Sequence, residues 1–346
     1  MERIRLGRTG IEVSDYCLGT MTWGRKTAEA DAHAQIDAAM EAGIDFMDTA
    51  EMYPVHPVEE ETIGGTEEVI GRWIAGGGDR SKWVIATKAA AEGGKARGGE
   101  PLTSDSVRRA CEASLRRLQT DYIDLYQFHW PDRGSYHFRQ NWRFNPEKQP
   151  DARAIRDNML SVMGTLQDLV TEGKIRAFGL SNDSAWGTME WLRAARDTGG
   201  PRVSTMQNEY SLICRLYDTD MAELGHHEDV TLIAFSPLGA GYLSGKYADG
   251  VVPEGSRLGM DMMGGRDTPR THEAVDAYLD IARRHGLDLA HMALAWFRTR
   301  PFPAMPIFGA TTMEQLQHVI AGLDLRLSKE VTDEIDAAHK ACPMPM

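Results

Sequence analysis

The stretch Ile44-Asp45-Phe46-Met47-Asp48-Thr49-Ala50-Glu51-Met52-Tyr53 runs from a short apolar segment of strand character into a loop that carries a carboxylate and a phenol. Alone, an acid five residues before a tyrosine says little. The layout recurs, however: Lys82-Trp83-Val84-Ile85-Ala86-Thr87-Lys88 is apolar, partly β-branched and ends on a lysine, and the segment 122–129 ends on His129. Asp48 and Lys88 are 40 residues apart, and Lys88 and His129 are 41 apart. A strand-and-helix unit of that length returns the chain to the same rim at every pass. The three polar ends are therefore expected side by side at the C-terminal ends of adjacent strands.

Outward from this stretch the same alternation continues. Residues 2–18 have a hairpin pattern with a turn at Arg8-Thr9-Gly10, suited to covering or plugging something larger. A strand follows at 16–20, then a helix at 28–42 with Ala34, Ile36, Ala39 and Met40 as its apolar positions and Gly43 at its C-cap. Further strands are expected at 45–49, 177–181, 204–208, 231–236 and 304–308. Helices are expected at 67–75, from an N-cap at Thr103 or Ser104 through Leu118, and at 159–172, 186–196 and 272–285. Counted from Cys17, this makes eight strands alternating with helices, the pattern of a (β/α)8 TIM barrel, a fold of about 250 residues plus insertions. A doubly wound sheet is the alternative, and the regular spacing of the polar strand ends favours the barrel. No repeat, linker or low-complexity stretch divides the chain, so one domain is expected over 1–346. Three connections are long, at 92–103, 130–157 and 238–270, and each follows a strand, which puts all three on the rim with the polar residues.

Bulk properties narrow the partners. A formal net charge of −13 over 346 residues argues against nucleic acid, which needs a concentrated basic face. No apolar run is long enough to cross a bilayer, and Met1-Glu2-Arg3-Ile4-Arg5 lacks the apolar core of a signal peptide, so a soluble cytoplasmic protein is expected. Cys17, Cys111, Cys214 and Cys342 are widely spaced, which suggests reduced, structural thiols. There is no H-E-x-x-H, and His226-His227-Glu228-Asp229 reads as a solvated helix end, so no metal is expected. Nor is there a G-x-G-x-x-G after an early strand, or a lysine and serine in Walker register beside Gly76-Gly77-Gly78 or Gly93-Gly94.

In a shared, partly dry pocket, Asp48, Tyr53, Lys88 and His129 make chemical sense together. A phenol near its unperturbed pKa of about 10 is a poor acid at neutral pH, and a nearby ammonium stabilises the phenolate and is expected to lower that value. Lys88 can supply the ammonium, Asp48 can fix the lysine and offset its desolvation, and His129 can hydrogen-bond a substrate oxygen. Such a phenol delivers a proton to a developing alkoxide. Each residue also has an ordinary structural reading, as a rim salt bridge, a packed tyrosine or a core histidine.

Several motifs carry a resemblance over nearly the whole chain. They are Gly19-Thr20-Met21-Thr22-Trp23-Gly24, Asp48-Thr49-Ala50-Glu51-Met52-Tyr53, Ala86-Thr87-Lys88, the run from Leu115-Arg116-Arg117-Leu118 to Tyr126 with His129-Trp130-Pro131 after it, and Gly173-Lys174-Ile175-Arg176 leading to Gly179-Leu180-Ser181-Asn182. In these the chain resembles the aldo-keto reductases, most closely the branch of the Tas-like proteins and the potassium-channel β subunits. The resemblance implies a (β/α)8 barrel, reduction of an aldehyde or ketone with NADPH (NADP+ as product), and a catalytic tetrad of Asp48, Tyr53, Lys88 and His129 with Tyr53 as the acid. It implies further that Ser181, Asn182 and Gln207 hold the carboxamide side of the nicotinamide and that Phe235 stacks on its ring, with Thr20, Met21 and Asp48 also beside the cofactor. Ser236, Pro237, Leu238, Gly241 and Lys246 resemble the loop over the pyrophosphate, and Gly309, Thr311 and Gln315 the helix start that takes the adenosine phosphate. Helix N-terminal amides favour an anion there. The chain departs from the family in having no Lys or Arg between Ile307 and Gln317 and in Val319, where an asparagine is common. Preference for NADPH over NADH then rests on Arg257 and Lys246.

The connection 130–157 interleaves Trp130, Tyr136, Phe138, Trp142 and Phe144 with Arg133, Arg139 and Arg143. It is read either as a lid lining the pocket for aromatic or anionic carbonyls or as simple packing between loops. Three functions remain in play at this level: a carbonyl reductase, a cofactor-binding redox-sensing partner like the channel subunits, and another barrel enzyme using Lys88 as a Schiff-base amine or a phosphate site. The oligomeric state and the substrate are not encoded in any of these motifs.

Overall fold

The structure is a computed structural model that describes residues 1–55 and 57–346. Strands β1 (Arg3–Arg5) and β2 (Glu12–Ser14) form an antiparallel hairpin. Eight parallel strands follow: β3 (Cys17–Gly19), β4 (Phe46–Asp48), β5 (Val84–Ala89), β6 (Ile123–Phe128), β7 (Ile175–Ser181), β8 (Val203–Glu209), β9 (Thr231–Phe235) and β10 (Ala304–Phe308). They close into a barrel in chain order, with β10 pairing back to β3 through Ile307 with Cys17 and Phe308 with Leu18. The expected (β/α)8 barrel with an N-terminal hairpin is the fold observed.

Period-two alternation explains how each strand serves the barrel. Successive side chains point in and out, so Phe46 and Asp48 share one face of β4 while Met47 packs outward under the helices. Low in the barrel the inward positions are apolar: Cys17, Phe46, Ala86, Leu125, Ala177, Ile233 and Met305 form one buried cluster with Leu6, Ile11 and Val13 of the hairpin. The hairpin thus seals the N-terminal end. Further along the strands the inward positions turn polar, two residues on at Asp48, Lys88 and Gln127, and likewise at Ser181 and Gln207. Register aligns them, with Asp48 opposite Ala86, Lys88 opposite Gln127 and Ser181 opposite Gln207. Gly179 lies opposite Gln127, and a Cβ there would overlap Thr205 Oγ1 and approach Gln127 Cγ to 3.3 Å. Glycine at this position leaves the lumen to the glutamine.

The helices are α1 (Glu29–Glu41), α2 (Gly65–Ala75), α3 (Ser104–Leu118), α4 (Ala152–Thr171), α5 (Ala185–Thr198), α6 (Asp220–Glu228), α7 (Pro269–Arg284), α8 (Leu289–Ala295), α9 (Met313–Ala321) and α10 (Lys329–Ala341). Thr103 caps α3 in a reciprocal arrangement with Ser106, as its position suggests. Helix α4 starts seven residues earlier than hydrophobic periodicity indicates, because Asp151 caps it by accepting from Arg153 N at 2.8 Å. Its first turns bury almost nothing, so the apolar pattern begins only at Met159. Two helices went unanticipated for opposite reasons. All of α8 but His291 is buried, which leaves no amphipathic period, and α10 buries only Val331 and Ile335. Among the described residues no helix is long and apolar enough to cross a membrane.

Candidate functional site

Because the strands are parallel, the C-terminal ends of β4, β5 and β6 meet at one rim, and the structure brings Asp48, Lys88, His129 and Tyr53 together there. The Lys88 ammonium is fully buried, 2.7 Å from Asp48 Oδ2 and 2.7 Å from the carbonyl oxygen of Thr49. The other carboxylate oxygen of Asp48 accepts from Gln207 Nε2 at 2.8 Å and faces Gln127 Nε2 at 3.3 Å. Tyr53 follows in the loop after β4, its amide bonded to Ala50 O at 3.0 Å and its ring packed with Ala50 and Val55. The ammonium of Lys88 is 5.0 Å from the centre of that ring, and the imidazole of His129 meets it edge-on at 5.8 Å.

The electrostatics depart from expectation in one respect. Burial raises the Tyr53 pKa above that of an ordinary tyrosine; the positive charge of Lys88 works against this, and Asp48 adds to it. The net direction is up, not down, because the depth of the pocket outweighs the ammonium. Burial also opposes the charge on Lys88, but Asp48 and Tyr53 reverse that and hold the lysine above its usual value. His129 is pushed well below the ordinary histidine range, first by burial and then by Lys88. At neutral pH the pocket therefore holds a protonated phenol, an ammonium and a neutral imidazole.

The other singled-out residues sit on the same rim. Ser181 Oγ donates to the carbonyl of Gln207 at 2.8 Å, and Asn182 Nδ2 donates to the carbonyl of His129 at 2.9 Å. Asn182 has φ 53°, and its Oδ1 is buried without a partner among the described residues, as is His129 Nδ1. Thr20 Oγ1 donates to the carbonyl of Asp48 at 2.9 Å, and the Met21 carbonyl accepts from Val55 N at 3.0 Å. Phe235 ends β9 half-buried, followed by Ser236 with φ 53°, Pro237 and Leu238, whose carbonyl accepts from Gly241 N at 2.9 Å. Gly239, Ala240 and Gly241 all have positive φ, which turns the backbone tightly at the mouth. Lys246 is exposed with its ammonium 5.0 Å from the centre of the Tyr247 ring. Gly309 lies against the backbone of Gly19, and Gln315 Oε1 accepts from Thr311 N at 2.9 Å at the start of α9. Arg257 is desolvated with Arg266 close by, both of which lower its pKa, while Lys26 is lowered by burial and by Arg257. No acid pairs with Arg257 among the described residues.

Four connections between loops were not foreseen. Glu209, at the end of β8, accepts from Arg139 at 2.6 Å and from Arg266 at 2.8 Å, so one carboxylate joins the connection after β6 to the one after β9. Phe138, 44% exposed, leans over Phe235 with ring centres 6.4 Å apart and planes 30° from parallel. Buried Glu51 accepts from Arg97 and from Ala90 N, which ties the Tyr53 loop to the connection after β5. Arg133 pairs with buried Asp183, and His137 Nε2 contacts the Asp183 carbonyl at 2.9 Å, anchoring the start of the aromatic connection. Of the residues around Asp48, Gln127 was missed although a signal exists: it is an uncharged polar side chain at an inward position, two residues after apolar Leu125 and two before His129.

A model of the family described as "Aldo/keto reductase family" matches residues 16–340. The protein described as "Protein tas" from Escherichia coli is 43% identical over 353 residues, spanning 100% of this chain and 99% of that protein. "Norsolorinic acid reductase stcV" from Emericella nidulans is 30% identical over 94% of this chain and 78% of its own length. "Probable voltage-gated potassium channel subunit beta" from rice, Oryza sativa, is 29% identical over 99% of this chain and 98% of that protein.

Proposed function

The chain belongs to the aldo/keto reductase family, whose members use nicotinamide cofactors, and on that premise we propose that it is an NADPH-dependent oxidoreductase reducing an aldehyde or ketone to the alcohol. In this reading it is a single-domain cytoplasmic enzyme with a small-molecule carbonyl substrate. The observation that carries the reading is the fully buried Lys88 ammonium held by Asp48 5.0 Å from the centre of the Tyr53 ring, with neutral His129 edge-on to that ring.

The mechanism follows from these groups. A substrate carbonyl oxygen between Tyr53 and His129 meets a phenol that carries its proton and an imidazole without charge. As negative charge builds on that oxygen, Tyr53 donates its proton, and the adjacent ammonium stabilises the phenolate left behind. Lys88 thus acts on the product of proton transfer, while burial keeps the proton in place beforehand. Asp48 orients the lysine, and Gln207 and Gln127 hold the far oxygen of Asp48, so the ion pair has one geometry.

The residues around the mouth fit a dinucleotide. The unpartnered Asn182 Oδ1 supports contact with a carboxamide, half-buried Phe235 offers a face for ring stacking, and the positive-φ run 239–241 supports close approach of a pyrophosphate. Arg257, with Lys26 and Arg266 nearby and no acid partner among the described residues, supports a phosphomonoester at the adenosine end and hence NADPH ahead of NADH. When bound, the reduced nicotinamide supplies the hydride.

The test is Tyr53→Phe. Turnover of simple aldehydes is expected to fall about 10²–10⁴-fold while NADPH binding, read by fluorescence titration, stays within a few-fold of wild type. Wild-type turnover in this variant would remove Tyr53 as the acid. A redox-sensing partner role of the channel-subunit kind keeps the same cofactor site, and negligible turnover by the wild type across an aldehyde panel would favour it.

A further inference from the structure

Away from the barrel mouth, two outer helices bring two imidazoles and a carboxylate together. Asp288 is the N-cap of α8, its Oδ1 accepting from His291 N at 3.0 Å, and His291 follows in the first turn of that helix. His318 comes from the last turn of α9. One ligand atom from each residue lies within 4.8 Å of the other two: His318 Nε2 is 3.2 Å from Asp288 Oδ2, and His291 Nδ1 is 3.9 Å from Asp288 Oδ1. The imidazole rings stack with centres 4.6 Å apart and planes 27° from parallel.

The orientation of His291 is what gives the cluster a direction. Its Nε2 lies 2.6 Å from the backbone carbonyl of His318, and a carbonyl only accepts, so Nε2 carries the proton. In the neutral ring Nδ1 is then a bare lone pair, and it faces a carboxylate. A cation between the lone pair and the carboxylate, 3.9 Å apart, would satisfy both. Hydrogen bonding of the distal ring nitrogen to a backbone carbonyl is also the arrangement that orients metal-bound histidines and fixes their tautomer. The ring is held in place sterically, since a Cβ at Gly322 would overlap it. Both helices are anchored from below, α8 by Leu289 and Met292 and α9 by Leu316 and Val319.

We propose that Asp288, His291 and His318 form a site for a divalent transition-metal ion of the zinc class. Ligand bonds of about 2.0–2.2 Å set the edge of a tetrahedron at about 3.4 Å, close to the separations present, so small rotations of the exposed side chains bring three donors into range. Asp288 Oδ2, His291 Nδ1 and His318 Nε2 are the ligands. The ion lies between His318 and Asp288, and water takes the fourth position, since the His318 side chain is 50% exposed. Two imidazoles with a single carboxylate suit zinc, cobalt, nickel or copper, whereas magnesium and calcium favour oxygen-rich sets. No local sequence motif announces the site, because 27 residues separate His291 from His318 and only the packing of α8 against the end of α9 joins them.

The experiment uses the whole chain without an affinity tag, titrated calorimetrically with zinc chloride in a non-chelating buffer, beside Asp288→Asn and His318→Gln. Asparagine caps a helix as well as aspartate does, so Asp288→Asn removes the charged ligand and keeps the start of α8. The wild type is expected to take up one equivalent, with affinity weakened at least about tenfold in each variant. Cobalt bound at the same site should show ligand-field bands without the thiolate charge-transfer band that cysteine ligation gives. Zinc should also raise the melting temperature of the wild type and not of His318→Gln, since an ion bound to the folded form alone stabilises it. Equal zinc uptake by all three proteins, no uptake by the wild type, or thiolate bands in the cobalt spectrum would overturn the assignment.

Discussion

Lys88 and Asp48 form an ion pair of 2.7 Å in which the lysine side chain is 0% and the aspartate 3% exposed. Burial of both charges makes each dependent on the other: the pair is tolerated because the desolvation of one is offset by its partner and by the amides of Gln207 and Gln127.

Removing one charge should therefore be worse than removing both. Lys88→Met leaves Asp48 as an uncompensated buried carboxylate and should cost about 3–5 kcal/mol in urea denaturation, whereas Asp48→Asn with Lys88→Met should recover much of that loss. Both variants should lack turnover. Equal stability of the single variant and wild type would mean that the pair is not isolated from water.

The pH dependence follows from two shifts. Tyr53 is raised, so it keeps its proton through neutrality, and His129 is lowered, so it stays uncharged. The kcat/KM for reduction should then be flat across neutral pH and fall only on the alkaline side, above about 10. Stability should respond in the acid range. Below about 6.5 the unfolded chain takes up a proton that folded His129 refuses, so stability declines as pH falls from there toward the depressed native value. His137, lowered mainly by burial, and His339 act with the same sign. Denaturation curves for His129→Gln should show a pH slope shallower by at most about 1.4 kcal/mol per unit.

Cofactor choice should turn on Arg257. Its guanidinium is desolvated beside Arg266 and lacks an acid partner among the described residues. Loss of a charged hydrogen bond costs about 1.5–3 kcal/mol, so Arg257→Ala should reduce the preference for NADPH over NADH by about 10- to 100-fold. Affinity for NADH should be unchanged or better. Fluorescence titration with both nucleotides measures the ratio directly.

Phe138 bears on substrate choice. Its exposed ring covers Phe235 from the connection after β6, where an incoming aromatic carbonyl would pass. Phe138→Ala should lower kcat/KM for aromatic aldehydes several-fold more than for short aliphatic ones, a difference of about 1 kcal/mol in aromatic contact. An equal change across the panel would assign the ring to packing alone.

The sequence made the strands readable wherever an apolar run ended on a charge or an imidazole, and Asp48, Lys88 and His129 meet because the βα unit repeats at nearly constant length. What stayed hidden depends on closure of the barrel. Gln207 on β8 reaches across the lumen to Asp48 on β4, a contact between strands that are not neighbours and that no local pattern encodes. The direction of the Tyr53 shift was misread for a related reason: the ammonium could be inferred from spacing, but the depth of burial could not. The early start of α4 escaped because its first turns face water, and Asp151 as the cap was the usable cue.

The bridge from Glu209 to Arg139 and Arg266 limits how this protein can be altered. Loops on a barrel rim are often treated as interchangeable parts, each grafted without regard to its neighbours. Here the connections after β6 and β9 share one carboxylate, so a graft that replaces the first strips Glu209 of one of its two arginine partners and cuts the tie between the two connections. Divergence to a new substrate would have to move both loops in step, or first replace the glutamate that couples them.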